Sequence, residues 1–514
     1  MTAASVTPGR AGIHTPLPAW RKVLSFPVML SCLLSALGVL TVRNRFDDPD
    51  LWWHLKTGQI IWTTHTIPTR DIFSYTTNHH AWVPHEWLAQ TLIYGAYRIG
   101  GYSGLMFGLC LSTIVLLIAG YVLCTLYSRN AKVAFVGAML IWFFSTTGLA
   151  IRPQMIGYCL LILELLLIQL GRTYKPLWFF LLPPLFAVWV NCHGSFFLGI
   201  VVACVFLVCS FFNFQIGSLV SLPWDQHRRT MLGLALILSA ALLFLNPSGL
   251  RQVLYPLNTL FHQPIGLSHS KEWMPLTMTG GRGLGFLAVL GGIYLLTIAL
   301  RADLFLDEMV LLALGTWLAV SHERMLFVFG ILAAPIVSRL LSSCWDGYDA
   351  AQDHPVPNAV LIVISLLAIV WGFPSESNLT RQVADGSPVE AVKFIQNHHL
   401  SGPMLNDYVY GGYLIWSAPE YPVFVDGRAD VYEWTGVLEQ FGKWALLESD
   451  PKTLLDEYSI NFCLLTKRSP MVHVLPLLPD WKMVYSSNKS AIFVRTSSLR
   501  EIAPRVTPVS SGKE

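Results

Sequence analysis

Apolar runs of roughly 17–25 residues, the length a helix needs to cross a bilayer, recur along this chain. The first is VLSFPVMLSCLLSALGVLTV at 23–42. Others fall near 102–127, 131–149, 153–171, 176–191, 195–213, 230–246, 284–300, 307–321, 324–341 and 357–373, with short polar punctuation between them. Composition agrees, because 54% of the residues are hydrophobic and only 13% are charged. The expected class is a polytopic α-helical membrane protein with about eleven spans. A net charge of +3, spread along the chain, gives no support to a nucleic-acid partner. Most of the nine cysteines lie in or beside apolar runs and none forms a CxxC pair, so they read as small buried hydrophobes. The first run follows Arg21 and Lys22, lacks a small-residue cleavage pattern and is followed by Arg43 and Arg45; it reads as a retained anchor.

Basic residues in short loops set the expected orientation. With a cytoplasmic N-terminus, the same side receives Arg129 and Lys132, Arg172 and Lys175, Arg228 and Arg229, then Arg301 and Arg339. The outer loops then read FDDPDLWWH, IRPQ, NCHG, NPSGLRQVLYP, SKEW and SHER, so the chemically versatile residues gather at one face. The inner loops YSRNAK, GRTYKP and DQHRRT look like ordinary topogenic anchors.

Four regions are expected. Residues 1–20 form a disordered cytoplasmic N-terminus and 21–374 the transmembrane domain, with a first outer loop at 43–101. Residues 375–499 form a small α/β domain outside the membrane, and 500–514 a disordered tail. In the third region GPMLND, PVFVDGR, INFCLLTK and KMVYSSNKSAIFVRT read as strands, and SPVEAVKFIQNHHL and VLEQFGKWALLESDPKTLLDEY as helices. An odd number of spans puts this domain opposite the N-terminus.

The outer loop is the longest polar insertion between spans. Asp48 and Pro49 read as a helix start, the aspartate capping and the proline in the first turn. On that helix Asp50, His54 and Thr57 share one face while Leu51, Leu55 and Trp62 share another. The helix is expected to lie on the membrane surface, with Trp52 and Trp53 at headgroup depth. HEWLAQTLIYGAYRIGG gives a second amphipathic helix, led by His85, Glu86 and Trp87 and ending at Gly100 and Gly101. Asp71 reads equally as a turn or cap residue and as a site residue. His79 and His80 read as an exposed loop pair.

These features together resemble the GT-C superfamily, membrane glycosyltransferases that use polyprenyl- or dolichyl-phosphate-linked sugars. The resemblance is to a bacterial group carrying Asp50, Trp52, Trp53, His54, Gly58, Pro68, Asp71, Phe73, Ser74, Trp82, Glu86 and Trp87 in the first outer loop. The RPQ, HG, NP.G…YP, EW and ER loops and NDYVYGGYLIW…FVDGRAD in the tail are also similar to that group. No WWDYG-like signature of oligosaccharyltransferases and no DE pair of protein mannosyltransferases is present, which leaves the acceptor open.

The resemblance implies a GT-C-like fold in a bacterial inner membrane, with the C-terminal domain periplasmic or extracellular. It implies membrane lipids and a polyprenyl-phosphate-linked sugar as partners, and a glycan, lipid or protein acceptor. Asp50 would be the base, with His54 or Glu86 orienting it; alternatively Asp50 and Glu86 would hold Mg2+ or Mn2+ through oxygen ligands. Arg152, Lys271 and Arg324 would meet the lipid phosphate, and Asp71 and His193 would contact substrate. Transfer with inversion is expected from the superfamily.

YGGYLIW has a Gly pair but no GxGxxG, so no nucleotide cofactor is expected. Asp426, Arg428 and Asp430 in VDGRAD suit either a glycan contact or a strand-to-turn salt-bridge cluster. Two other readings compete: a non-catalytic partner in envelope polysaccharide assembly, and a lipid or glycan transporter. Against the transporter, the spans hold few charges, Glu164 being the clearest, and no inverted repeat is evident.

Overall fold

The structure, a computed structural model, describes residues 18–77, 79–262 and 273–498. The expectations for Lys271, for residues 1–17 and for the 500–514 tail lie outside the described residues. Ala19 and Trp20, expected in the disordered N-terminus, already belong to a short helix α1 (Ala19–Val23).

Each of the expected apolar runs is helical. In chain order the next elements are α2 (Phe26–Val42), α3 (Leu51–Thr64), α4 (Trp87–Ser128), α5 (Ala131–Ser145) and α6 (Pro153–Thr173). Then come α7 (Leu182–Cys192), α8 (Phe196–Cys209), α9 (Gln226–Leu242), α10 (Leu250–His262) and α11 (Gly281–Ala299). The bundle closes with α12 (Leu306–Ser321), α13 (Leu326–Leu341) and α14 (Pro355–Gly372). Among the described residues, five helices are long and apolar enough to cross a membrane: α4, α6, α11, α14 and the stretch Glu323–Leu341 that holds α13. The helices α2, α5 and α8 and the stretch Pro176–Cys192 are apolar but shorter. Arg228 and Arg229 early in α9, and Asp307 and Glu308 at the start of α12, cut down the apolar window of those two helices. By length and hydropathy alone, then, the expected eleven spans reduce to five with four shorter candidates.

The helices α2, α4, α5, α6 and α13 pack on one another around a common apolar core. α4 is two helices in one, broken where Gly100 and Gly101 leave helical geometry; Gly101 has φ +57°, which a side chain would strain. On the side expected to be inner, a small sheet of β1 (Phe214–Ile216), β2 (Leu219–Ser221) and β3 (Leu304–Phe305) joins two loops that the sequence pattern did not mark as strands.

After α14 the chain builds α15 (Glu376–Gly386), α16 (Val389–Asn397), α17 (Tyr408–Ser417) and α18 (Ala429–Trp434) around a second sheet. Its strands are β4 (Met404–Asn406), β5 (Phe462–Thr466), β6 (Trp481–Ser486) and β7 (Ser490–Arg495), in the order β4-β5-β7-β6. β4 runs parallel to β5; the other pairs are antiparallel. PVFVDGR is not a strand of this sheet. Its Val423 instead bridges Ser74 of the first outer segment, with Val423 N–H donating to Phe73 O at 3.0 Å and Tyr75 N–H to Val423 O at 3.3 Å.

That bridge is one sign of a shared core. Trp53, Phe73 and Trp82 from the first outer segment are buried with the C-terminal sheet, while Leu51, Trp52 and Leu55 belong to the helical core. The expectation that Trp52 and Trp53 sit at lipid headgroups is therefore corrected. Trp52 packs edge-on against Phe46, Tyr102 and Tyr413, and Trp53 against Trp82. Protein covers α3 on both sides, α4 on one and α17 on the other, because two apolar surfaces compete for it and both win area.

Candidate functional site

The site assembles at the end of the bundle where α3 and α4 begin. Asp48 does not cap a helix from Pro49. It accepts the Asp50 N–H at 2.9 Å in a turn, and α3 starts two residues later at Leu51. Arg152, immediately before Pro153 opens α6, grips both aspartates: its Nε bonds to Asp48 Oδ2 and its Nη2 lies 3.2 Å from Asp50 Oδ2. Asp50 Oδ1 also accepts from Trp53 Nε1 at 3.3 Å. Gly427 of the C-terminal unit lies so close that a Cβ there would collide with this same Asp50 oxygen. The Asp50 side chain keeps 24% of its surface exposed against 5% for Asp48, so Asp50 is the one a ligand can reach.

One turn along α3, His54 faces the start of α4. Gly58 allows the approach, because a side chain there would strike the Gln90 backbone carbonyl. Gln90 Nε2 lies 3.2 Å from His54 Nδ1. Glu86, one turn before Gln90, is surrounded by imidazoles. His54 Nδ1, His85 Nε2 and His193 Nε2 each lie 3.7 Å from one of its carboxyl oxygens, beyond hydrogen-bond range. The Ser195 N–H donates to His193 Nδ1 at 3.1 Å, which leaves the ring proton on the Nε2 that faces Glu86.

Electrically the cluster is quiet. Burial pushes Glu86 up to about 8; Arg324 and Arg152 oppose that rise, while Asp50 and Asp430 reinforce it. Burial takes His85 down to about 4. His54 and His193 fall well below the usual range, first through burial, then through the charges of Arg152 and Arg324 respectively. Near neutral pH, then, Glu86 is protonated and the three rings are uncharged, so their contacts are not ion pairs.

The C-terminal unit completes the site. Asp430, in the first turn of α18, hydrogen-bonds Tyr255 of α10, and Tyr255 stacks on His85 with centroids 3.7 Å apart. Burial raises the Asp430 carboxyl, against the charge of Arg428. Gln252 of α10 donates to Val190 O at 2.8 Å, and Trp87 Nε1 donates to Asn191 Oδ1 at 2.7 Å, tying α10 and α4 to α7. Arg324 bonds Gln154 and lies over the Trp273 ring at 5.6 Å.

Sequence reasoning placed Asp50, His54, Glu86, Arg152, His193 and Arg324 here, and the structure brings them together. It also corrects three expected roles. Asp71 is fully buried: its oxygens accept from Ser74, Thr77 (2.6 Å), the Phe73 N–H (3.1 Å) and Arg428 Nη1 (2.6 Å), leaving no surface for substrate. The Arg428 charge and these donors outweigh burial and hold its carboxyl low. Arg152 spends its fork on Asp48 and Asp50 rather than standing open to a phosphate. The third correction concerns the cation. Asp50 turns to Arg152 and Trp53, while Glu86 sits among three imidazoles at 3.7 Å. Among the described residues no group of three or more His, Cys, Asp or Glu side chains is arranged to hold a metal ion. With Asp50 held by Arg152 and Glu86 keeping its proton, the pair does not offer Mg2+ or Mn2+ the charged oxygen ligands they take.

Asp426 and Arg428 form the salt-bridge cluster rather than a glycan contact, with Arg428 Nε and Nη2 on the two Asp426 oxygens at 2.8 and 2.6 Å. The sequence reading missed Gln90, Tyr255 and Gln252. Gln90 was detectable, since it follows Glu86 by one helical turn, and Tyr255 is the tyrosine of the NP.G…YP loop; nothing local marks Gln252.

No protein-family model matches the sequence, and a search of curated proteins gives no match. Solved structures do resemble it. The oligosaccharyltransferase of Archaeoglobus fulgidus, tethered with an acceptor peptide containing the NVT sequon, aligns with TM-score 0.54 at 12% identity over 87% of this chain and 70% of that one. ArnT of Cupriavidus metallidurans bound to undecaprenyl phosphate aligns with TM-score 0.51 at 11% identity, over 93% of this chain and 98% of that one. The chain shares the fold of these two structures. The archaeal enzyme AglB in complex with an inhibitory peptide and a dolichol-phosphate gives 0.51 at 12% identity, over 87% and 69% of the two chains. With ArnT the match runs nearly end to end, so helices and C-terminal unit alike belong to the shared architecture.

Proposed function

We propose that the chain is an integral-membrane glycosyltransferase that moves a sugar from a polyprenyl-phosphate-linked donor to a glycan, lipid or protein acceptor. The N-terminus is cytoplasmic and the site and C-terminal unit face the opposite side. One observation carries this reading: on a GT-C fold, the reachable carboxylate Asp50 lies at the mouth of the bundle beside Arg152 and the Glu86 cluster. A lipid-borne sugar arrives at that depth. Asp50 takes the proton of the acceptor group, whose freed electron pair forms the bond to the anomeric carbon. The bond from that carbon to the phosphate oxygen breaks, and its electrons leave with the polyprenyl phosphate. Arg324 supplies positive charge for that departing oxygen.

Transfer of radiolabelled sugar from prenyl-phosphate donors tests the reading. Asp50→Asn is expected to lower the rate by about 10²–10⁴-fold, the range for loss of a general base. Full activity in Asp50→Asn would remove Asp50 from the role. Uptake or flipping by proteoliposomes without any transfer would favour the transporter reading instead.

A further inference from the structure

Two aspartates separated by one residue, at the mouth of a site that handles phosphate, would ordinarily suit a divalent cation. Here the space between them is taken. The Nε edge of the Arg152 guanidinium meets Asp48 Oδ2, and its Nη2 meets Asp50 Oδ2 at 3.2 Å. The arginine is held from behind as well. Its N–H donates to Ala150 O at 2.8 Å, its carbonyl accepts from the Met155 N–H at 3.1 Å, and Pro153 follows it at the start of α6. Asp48 is anchored by the Asp50 N–H, so neither carboxylate is free to swing away. A guanidinium keeps its charge at any physiological pH and cannot be displaced by deprotonation.

We propose that the Arg152 guanidinium stands where a divalent cation would otherwise sit between Asp48 and Asp50, so that the site works without Mg2+ or Mn2+. The inference rests on the glycosyltransferase reading for its meaning: with Arg152 filling the place between the aspartates, the donor's phosphate meets no metal ion and its charge is left to Arg324. Removing Arg152 leaves two adjacent carboxylates without their cation, and a hard divalent ion then has oxygen ligands to take.

Mn2+ alone, titrated into the full-length protein in detergent and followed by electron paramagnetic resonance, tests this without any sugar donor. The wild type is expected to show no stoichiometric Mn2+ site. Arg152→Ala and the bulkier Arg152→Gln, each checked for a monodisperse elution profile, are expected to bind Mn2+ about tenfold or more tighter than wild type. Adding Asp50→Asn to either should abolish that gain. A stoichiometric site in the wild type that Asp50→Asn removes would overturn the proposal. So would folded Arg152 variants that bind Mn2+ no better than wild type. If neither Arg152 variant folds, the wild-type titration with its Asp50→Asn control decides alone. Where transfer is measurable, its wild-type rate should be unchanged by EDTA, and a loss would again overturn the proposal. Absence of transfer under every condition sinks the glycosyltransferase reading, while the Mn2+ titration still decides this one.

Discussion

At the scale of residues, Glu86 ties the chemistry of the site to pH. In the folded chain it keeps its proton up to about pH 8, whereas an unperturbed glutamate loses it near 4.5. Folding therefore binds a proton across that window, and stability falls as pH rises through it, levelling off above about 8. The imidazoles act in the opposite sense. His85 resists protonation down to about 4 and its unfolded counterpart takes a proton near 6.5; His54 and His193 shift in the same direction. Stability is thus lost as pH drops below 6.5. The groups facing Glu86 (His54, His85, His193, Arg324, Arg152, Asp50 and Asp430) set the position of both limbs. The thermal midpoint in detergent should fall from pH 6.5 to 8 in the wild type, and Glu86→Gln should flatten that limb. An unchanged slope in Glu86→Gln would assign the fall to another group.

At the scale of elements, Arg428 fastens the first outer segment to the C-terminal unit. Its guanidinium bonds Asp426 and Asp71 and lies between the rings of Phe73 (4.9 Å) and Trp82 (4.8 Å). All three charges are buried, and removing one partner of such a set costs about 3–5 kcal/mol. Asp71→Asn should therefore lower the thermal midpoint and make the segment around 66–86 sensitive to protease, with the C-terminal sheet remaining folded. Unaltered proteolysis would mean that the aromatic packing alone holds the two together. The motif residues Asp71, Phe73, Ser74 and Trp82 thus have their explanation in this joint. The sequence pattern marked them as important, but it could not tell a joint from a binding site, since both use carboxylates beside aromatics.

At the scale of the whole molecule, orientation in the membrane decides whether Asp50 can meet a lipid-linked donor. At the other end of the bundle two ion pairs join helices: Arg172 with Asp307 at 2.8 Å, and Arg339 with Glu308 at 2.5 Å. The Asp50 end instead keeps a partly exposed carboxylate in front of the buried Glu86 cluster. A reporter fused after residue 380 should be active only on the outer side, and one fused near residue 225 only in the cytoplasm. The reverse pattern would put the site on the cytoplasmic face and remove the lipid-linked donor from its reach.

Local pattern alone determined the helical class, the break at Gly100 and Gly101, the strands β4 to β7 and the shared helical face of Asp50 and His54. Each follows from apolar period, glycine freedom or helical spacing within a few residues. Other features were decided only by tertiary structure: the Asp48–Arg152 clamp, the Asp71–Arg428 joint, the pairing of Val423 with Ser74 and the burial of Trp52 and Trp53. These contacts link positions as far as 104 and 357 residues apart, and no local periodicity carries that information. A carboxylate looks the same in sequence whether it meets a cation, a substrate or an arginine from another helix. The partner that arrives in space, and the water it displaces, decides which.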